Sequence, residues 1–209
     1  MRVVGVRRFG ADELLATLRR TRLRGYGGVE PYADASLELV AGVDPEELAP
    51  AQNYVLRAGV DTALALRAAL LDRGVDPLAL DGGLRVATAE APDEWVPLLP
   101  PVVEESTEPD GRTVLLVNDG MHRLVAAREL GLPVSVVVVR GVPAAYPYYA
   151  FALPGGWADV AVLPELPDGH QKKNYRQPVG YKALYRDFDA LFPGVQRQRR
   201  RTNPSHLVG

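Results

Sequence analysis

The sequence predicts an α+β fold, a small mixed β-sheet with helices packed on it and additions at both ends. Three observations predict it. Residues 113–139 read as strand, tight loop, helix and strand. Further strand candidates alternate with helical spacing between residues 3 and 104. After residue 140 the composition shifts to Pro, Gly and aromatics, which suits an irregular extension rather than more layers of sheet.

The elements follow in chain order. Residues 3–6 (VVGV) read as a strand and residues 11–20 as a basic helix, with Leu14, Leu15 and Leu18 on one face and Gly25, Gly27 and Gly28 as its end. A short helical turn is expected near Glu46. A stronger helix is expected over residues 61–73, with Asp61 as N-cap, Gly74 as stop and Leu64, Leu66, Leu70 and Leu71 buried. The glycine pair in LDGGLR, residues 80–85, reads as a hairpin turn, because no helix or lysine follows to make it a phosphate loop. Residues 85–88 and 101–104 are strand candidates, and the stretch between them, with Pro92, Pro97 and Pro100, reads as a surface loop. Residues 105–112 (ESTEPDGR) form a polar turn, and a helix is expected over residues 181–191. The reading divides the chain into an N-terminal α/β extension (1–45), a core (46–142) and a C-terminal extension (143–209).

The firmest local pattern is VNDGMHRLVAARELGLPVSVVVV, residues 117–139. A β-branched run ends at Val117, helical spacing begins at Met121, and Leu124, Ala127 and Leu130 recur every third residue. Gly131 and Pro133 supply the stop, and Asn118 or Asp119 can cap the start. This places His122 and Arg123 in the first turn. That end of a helix carries unsatisfied N–H groups and partial positive charge, so a cation there is disfavoured by about 0.3–1 kcal/mol. An anion such as phosphate, seated between the amides and the two side chains, resolves the conflict. The alternative is that Arg123 pairs with Asp119 or Glu104 while His122 packs as a neutral imidazole.

Composition bounds the function. The 209 residues carry 24 Lys and Arg against 26 Asp and Glu, a formal net charge of −2, which argues against a chain whose whole surface holds nucleic acid. There is no cysteine, so thiol nucleophiles, disulfides and thiolate metal sites are excluded. No signal-peptide pattern and no apolar run near the ~20 residues of a membrane span are visible, so a cytoplasmic home without membrane partners is expected.

With those residues in view, the chain resembles the ParB/sulfiredoxin superfamily, whose members share a strand, a glycine loop with basic residues and an Ala-rich helix on a small sheet. The resemblance covers roughly residues 48–142 and is specific at Asp119, Gly120, His122, Arg123, Ala126 and Ala127. Met121 stands where sulfiredoxins carry their reactive cysteine, which excludes that chemistry. Chromosome-partitioning ParB proteins carry a GERRxRAA box. Gly120, Arg123, Ala126 and Ala127 match it, Met121, His122 and Val125 do not, and no helix-turn-helix follows. The DGxHR loop is similar to that of the ParB-like free serine kinases.

That resemblance implies a nucleotide-binding phosphotransferase that uses ATP or ADP with Mg²⁺ on a small hydroxyl-bearing metabolite. It implies phosphate contacts from Gly120, Met121, His122 and Arg123. Asp119 would be catalytic base or metal partner, and His122 would be catalytic as well as phosphate-binding. Gln52 stands where these kinases have a glutamate base, so either Asp119 or a carboxylate elsewhere such as Glu104 takes that role, or the reaction differs. The competing reading is a non-catalytic ParB-like nucleotide switch or DNA-associated module. Partners are then a nucleotide and a small molecule; nucleic acid is not expected, and a homodimer is left open.

Three further stretches invite a functional reading. HQKKNYR, residues 170–176, is either a solvated loop, the reading ordinary surface composition favours, or a substrate loop using Lys172, Lys173 and Arg176. Tyr146, Tyr148, Tyr149 and Trp157 are expected to fill core or interface rather than stack a base. QRQRRR, residues 196–201, reads as a solvated end or subunit contact.

Overall fold

A computed structural model of the chain describes residues 1–193. The basic run at 196–201 lies outside the described residues.

The strand at residues 134–139 is expected from an unbroken apolar run, and the structure gives the reason for that run. β8 (Val134–Arg140) is buried at every position but the last. Its even-numbered valines Val134, Val136 and Val138 face one core cluster, and Val137 and Val139 face another. A strand covered on both sides has no polar face to display. It sits inside a four-stranded sheet ordered β2–β8–β6–β7, with β2 (Ser36–Val43), β6 (Val102–Thr107) and β7 (Thr113–Asp119). β8 is antiparallel to β2 and parallel to β6, while β6 and β7 are antiparallel, so the sheet is mixed.

One face of this sheet is covered by α2 (Arg57–Leu71) and α3 (Met121–Leu130), the other by α1 (Ala11–Arg19) and the short α4 (Phe188–Leu191). A second, antiparallel sheet is ordered β1–β4–β5, from β1 (Val3–Gly10), β4 (Gly82–Thr88) and β5 (Ala91–Leu98). A parallel pair joins β3 (Tyr54–Leu56) to β9 (Ala161–Leu163). The architecture is α+β. No helix among the described residues is long and apolar enough to cross a membrane.

Several local expectations are corrected. The stretch between residues 88 and 101 is not a loop: β5 runs through Pro92 and Pro97, which is tolerated because β5 is an edge strand pairing only with β4. LDGGLR is not a hairpin turn, since Gly82 and Gly83 open β4 and pair with Gly10 and Phe9 of β1. α2 begins at Arg57, so Asp61 sits in its second turn within 3.8 Å of Arg57 instead of capping it, and Leu71 is 43% exposed. α1 stops at Arg19, where the buried Thr21 hydroxyl donates to the Leu18 carbonyl, before the glycines are reached. The expected helix at 181–191 is broken into a 3₁₀ turn, Tyr181–Leu184, and α4, because Tyr185 is extended and Arg186 turns into the core.

β2 has no counterpart among the strands expected from the sequence. Its Gly42, at φ +72°, lies in the register shift between Val40 and Val43 and interrupts the alternation that Leu37 and Leu39 begin. The central sheet therefore crosses the expected boundary at residue 45, and β9 and α4 carry the C-terminal segment onto the same body.

Gly82 admits no side chain: a Cβ there would lie 2.3 Å from the Phe9 carbonyl oxygen and 2.9 Å from the Gly10 carbonyl carbon. Gly82→Ala should destabilise the chain by about 1–3 kcal/mol in urea unfolding, the usual cost of forcing volume into a packed site. Gly27→Ala, where nothing lies within 4 Å, should change stability little.

Candidate phosphate-binding site

α3 starts where β7 ends, and Gly120 makes the turn. Its φ of +98° is a left-handed conformation that favours glycine, and a Cβ would lie 2.8 Å from Pro101 Cβ. Gly120 is the N-cap and offers no side-chain acceptor. The expectation that Asn118 or Asp119 caps α3 is corrected by where their side chains go. Asn118 donates to the Tyr32 hydroxyl at 2.7 Å and to Glu104 at 3.0 Å, and Asp119 accepts from Arg123 Nη2 at 3.2 Å. No acidic residue stands in the first turn. The N-terminus of α3 therefore has neither a side-chain cap nor a first-turn acid, at the end of a helix where an anion is stabilised.

Arg123 sharpens this. Its side chain is only 15% exposed, Nη2 faces Asp119, and Nη1 is buried without a hydrogen-bond partner. Burial depresses its pKa, with the Asp119 charge acting in the opposite direction. A buried guanidinium nitrogen without an acceptor is costly, and a phosphate oxygen is the acceptor best suited to it.

His122 brings a second helix to the same place. Its ring lies against Gly59, where a Cβ would come within 2.3 Å of the imidazole, and Nε2 is 3.4 Å from the backbone N of Leu56, the N-cap of α2. α2 also lacks a side-chain cap and first-turn acid. The imidazole in the first turn of α3 thus accepts from the start of α2 and joins two helix N-termini whose own N-cap residues supply no side-chain cap. Arg57, the first residue of α2, is occupied by Glu129 at 2.9 Å. Met121, expected at the phosphates, puts its side chain in the core, 9% exposed, so its backbone is what it offers.

Glu104, expected as a candidate catalytic base, is committed elsewhere. It is 2% exposed and takes Arg186 Nη2 at 2.7 Å and Nε at 3.1 Å as a two-point pair, with the Tyr32 hydroxyl donating to Oε2 at 2.9 Å. The rest of the Arg186 guanidinium donates to the carbonyls of Tyr146, Pro147 and Leu184. Burial first, and then the Glu104 charge, raises the Tyr32 pKa well above its ordinary value. A carboxylate with its oxygens filled by buried donors has no path to a substrate proton. Gln52 donates to the Tyr54 carbonyl at 2.7 Å and, as an amide, takes no proton either. Asp119 is the remaining carboxylate of those expected. Among the described residues no three His, Asp or Glu side chains are placed to hold a metal ion, so a Mg²⁺ at Asp119 would draw its other ligands from phosphate and water.

The stretch 170–176 is solvated only in part, with Gln171, Lys172 and Asn174 exposed. Lys173 is 7% exposed, donates to the Tyr148 hydroxyl at 2.7 Å and lies over the Tyr148 and Tyr149 rings. Arg176 donates to Ser106 at 2.7 Å, pairs with Glu108 at 3.2 Å and stacks on Phe151. Lys172 is exposed, and its carbonyl accepts from Asn53 N. The stretch therefore runs alongside residues 52–53, just before β3, whose end delivers the Leu56 N–H to His122. Tyr148 and Tyr149 are core residues, and Trp157 packs in the cluster beneath α3, as the aromatic spacing suggested. A cleft of about 370 Å³, lined by Leu39, Leu78, Leu80 and Pro133 among others, lies beyond the C-terminal end of α3.

Removing one partner of a buried ion pair leaves the other charge uncompensated, which costs about 3–5 kcal/mol. Arg186→Met should therefore lower unfolding stability on that scale. The double variant Glu104→Leu with Arg186→Met should recover much of the loss, and urea unfolding of the parent, the two single variants and the double variant measures the coupling.

The comparisons with known proteins bear on the family. The family model described as the ParB CE domain matches residues 13–161. No curated protein and no solved structure matches the chain. The match runs from within α1 to the first residue of β9 and takes in the whole central sheet and the α3 N-terminus, so the chain belongs to the ParB CE domain family.

Proposed function

We propose that this chain is a nucleotide-binding protein that seats the phosphates of ATP or ADP at the N-terminus of α3 and transfers a phosphoryl group to a small hydroxyl-bearing metabolite. The observation that carries the reading is the buried, unpartnered Arg123 Nη1 beside an uncapped helix start. The residues present fit a polyphosphate: backbone N–H groups of the first turn, the Arg123 guanidinium, and His122 held between two positive helix ends.

The nucleotide would supply the transferable phosphoryl group, and Mg²⁺ would neutralise its charge. The protein's own part is positioning. Gly120 lets the chain pass Pro101 and turn into α3 without a side chain over the amides. Gly59 leaves room for the imidazole, and the Asn118 contact to Tyr32 and Glu104 holds the end of β7 so that Asp119 sits beside Arg123. Asp119 is the carboxylate at hand to take the hydroxyl proton or to join the metal. The second reading, a nucleotide switch without turnover, is favoured by Gln52 and by the engagement of Glu104, which remove the other expected bases.

Arg123→Ala should weaken nucleotide binding by about 1.5–3 kcal/mol, the range for a hydrogen bond to a charged group, as read by calorimetry. Equal affinity would place the nucleotide elsewhere.

Asp119→Asn separates the two readings. If phosphoryl transfer occurs, turnover should fall by about 10²-fold or more while nucleotide affinity holds or rises, since a negative charge has left the site. A parent protein that binds nucleotide through Arg123 and phosphorylates no hydroxyl-bearing metabolite would leave the switch reading standing.

A further inference from the structure

Among the described residues, most strand edges are defended in the ways that stop a sheet from pairing further. β5 carries Pro92 and Pro97 with exposed Asp93 and Glu94, and β1 carries exposed Arg7 and Arg8 and a register shift after Val3. β7 is covered by Ala49, whose N–H donates to the Leu115 carbonyl and whose carbonyl accepts from the Val117 N–H, both at 2.8 Å. β3 and β9 are three residues each. β2 is different. It is eight residues long, SLELVAGV, has neither Pro nor Lys, and pairs only with β8. Its one charge, Glu38, is held by Arg140 at 3.3 Å.

The register fixes which backbone groups of β2 face outward. Val137 N–H donates to the Pro101 carbonyl and Ser135 N–H to the Leu78 carbonyl, so the odd-numbered residues of β8 point away from β2. In an antiparallel pair, opposed residues either exchange their hydrogen bonds or both turn outward. Leu37 and Leu39, opposite Val139 and Val137, therefore aim their N–H and C=O groups at the outer edge, where no hydrogen bond from the described residues meets them. Donors and acceptors repeating at strand spacing are matched by an extended backbone. Both sides of the edge are apolar: Leu37 and Leu39 belong to the cluster under α1, and Val40 and Val43 pack against the cluster under α2 and α3. The register shift at Gly42 ends the available run.

We infer that the outer edge of β2 pairs antiparallel with β2 of a second copy of this chain, about a two-fold axis at Leu39, joining two four-stranded sheets into one. Three features select a second copy. Outward groups meet only when odd-numbered residues face odd-numbered ones, and a two-fold at Leu39 does this, setting Leu39 against its own counterpart and Leu37 against Ala41 of the partner subunit. That register also places Glu38 across from Val40 of the partner subunit, whereas an axis at Glu38 would oppose two carboxylates, which destabilises a sheet. Finally, the two-fold uses the one long undefended edge of each copy, so assembly closes at two and does not grow into a fibre. The strand required is one with Leu on the α1 side and Val on the other, and β2 is itself such a strand. This edge is separate from the α3 site and does not depend on what that site binds.

Analytical ultracentrifugation of the full chain over a concentration series tests the inference. The parent should sediment as a dimer that dissociates on dilution. Leu39→Pro removes the N–H that each copy donates across the axis and no bond of the β2–β8 ladder. It should stay folded by circular dichroism and associate about tenfold or more weakly, the scale of two lost hydrogen bonds. The chain has no cysteine, so single introduced thiols read the register even where proline is not tolerated. Two copies of Leu39→Cys would stand about 5.5 Å apart at Cα, within reach of a disulfide, and should crosslink on oxidation. Ser36→Cys, farther along the strand, would stand on the order of 20 Å from its counterpart and should not. Arg123→Ala should associate as the parent does. The inference is overturned if the parent stays monomeric at the highest concentration, which would leave the edge to a foreign strand, if Leu39→Pro folds and associates as the parent does, or if Leu39→Cys crosslinks no better than Ser36→Cys.

Discussion

The buried pair of Glu104 and Arg186 is the constraint on which the rest of this structure turns. Two charges, each about 2% exposed, are tolerable only if their remaining hydrogen-bonding capacity is satisfied, and here it is. Satisfying it recruits distant parts of the chain: Tyr32 from the loop after α1, Asn118 from the end of β7, and the carbonyls of Tyr146, Pro147 and Leu184 from the C-terminal segment. The N-terminal residues, the central sheet and the C-terminal extension are thereby joined at a single point inside the protein. The same demand explains why residues 181–191 do not form one helix, since Arg186 reaches Glu104 from an extended break.

The network also shapes the proposed phosphate site. Asn118, which the sequence suggests as a cap for α3, lies in β7 instead, and its side chain is drawn inward to Tyr32 and Glu104. Asp119 turns to Arg123. Gly120 is left as the cap, and the amides at the start of α3 keep their positive potential. His122 adds the start of α2 to the same point. The helix ends are not stabilised internally, as most are, by a short polar side chain or an acid in the first turn. An anion seated there would find the first-turn amides and the Arg123 guanidinium together.

The α3 site and the β2 edge share a physical theme and differ in kind. Arg123 is buried, with one nitrogen lacking a partner, so its deficit is a missing hydrogen bond in a low-dielectric setting. The outward backbone groups of Leu37 and Leu39 lie on a sheet edge, so what they lack is a neighbouring strand. The first suits a small, tightly held ligand, and the second an extended backbone.

By itself the sequence determined the elements whose signals are local. The strand–loop–helix–strand unit at 113–139, the left-handed Gly131 stop and the α+β class follow from periodicity and glycine placement, because hydrophobic spacing and backbone freedom act over a few residues. The positions of Gly120, His122 and Arg123 at a helix start were legible for the same reason. What only the tertiary structure decided was every question of partnership. Nothing near Glu104 in sequence indicates that Arg186 fills its oxygens, that Gly59 receives the His122 ring, or that the prolines of 92–97 lie on a sheet edge where their missing donors are harmless. Those outcomes depend on contacts between residues tens of positions apart, and the charge state, exposure and reach of a side chain are properties of its neighbours in space rather than in the chain.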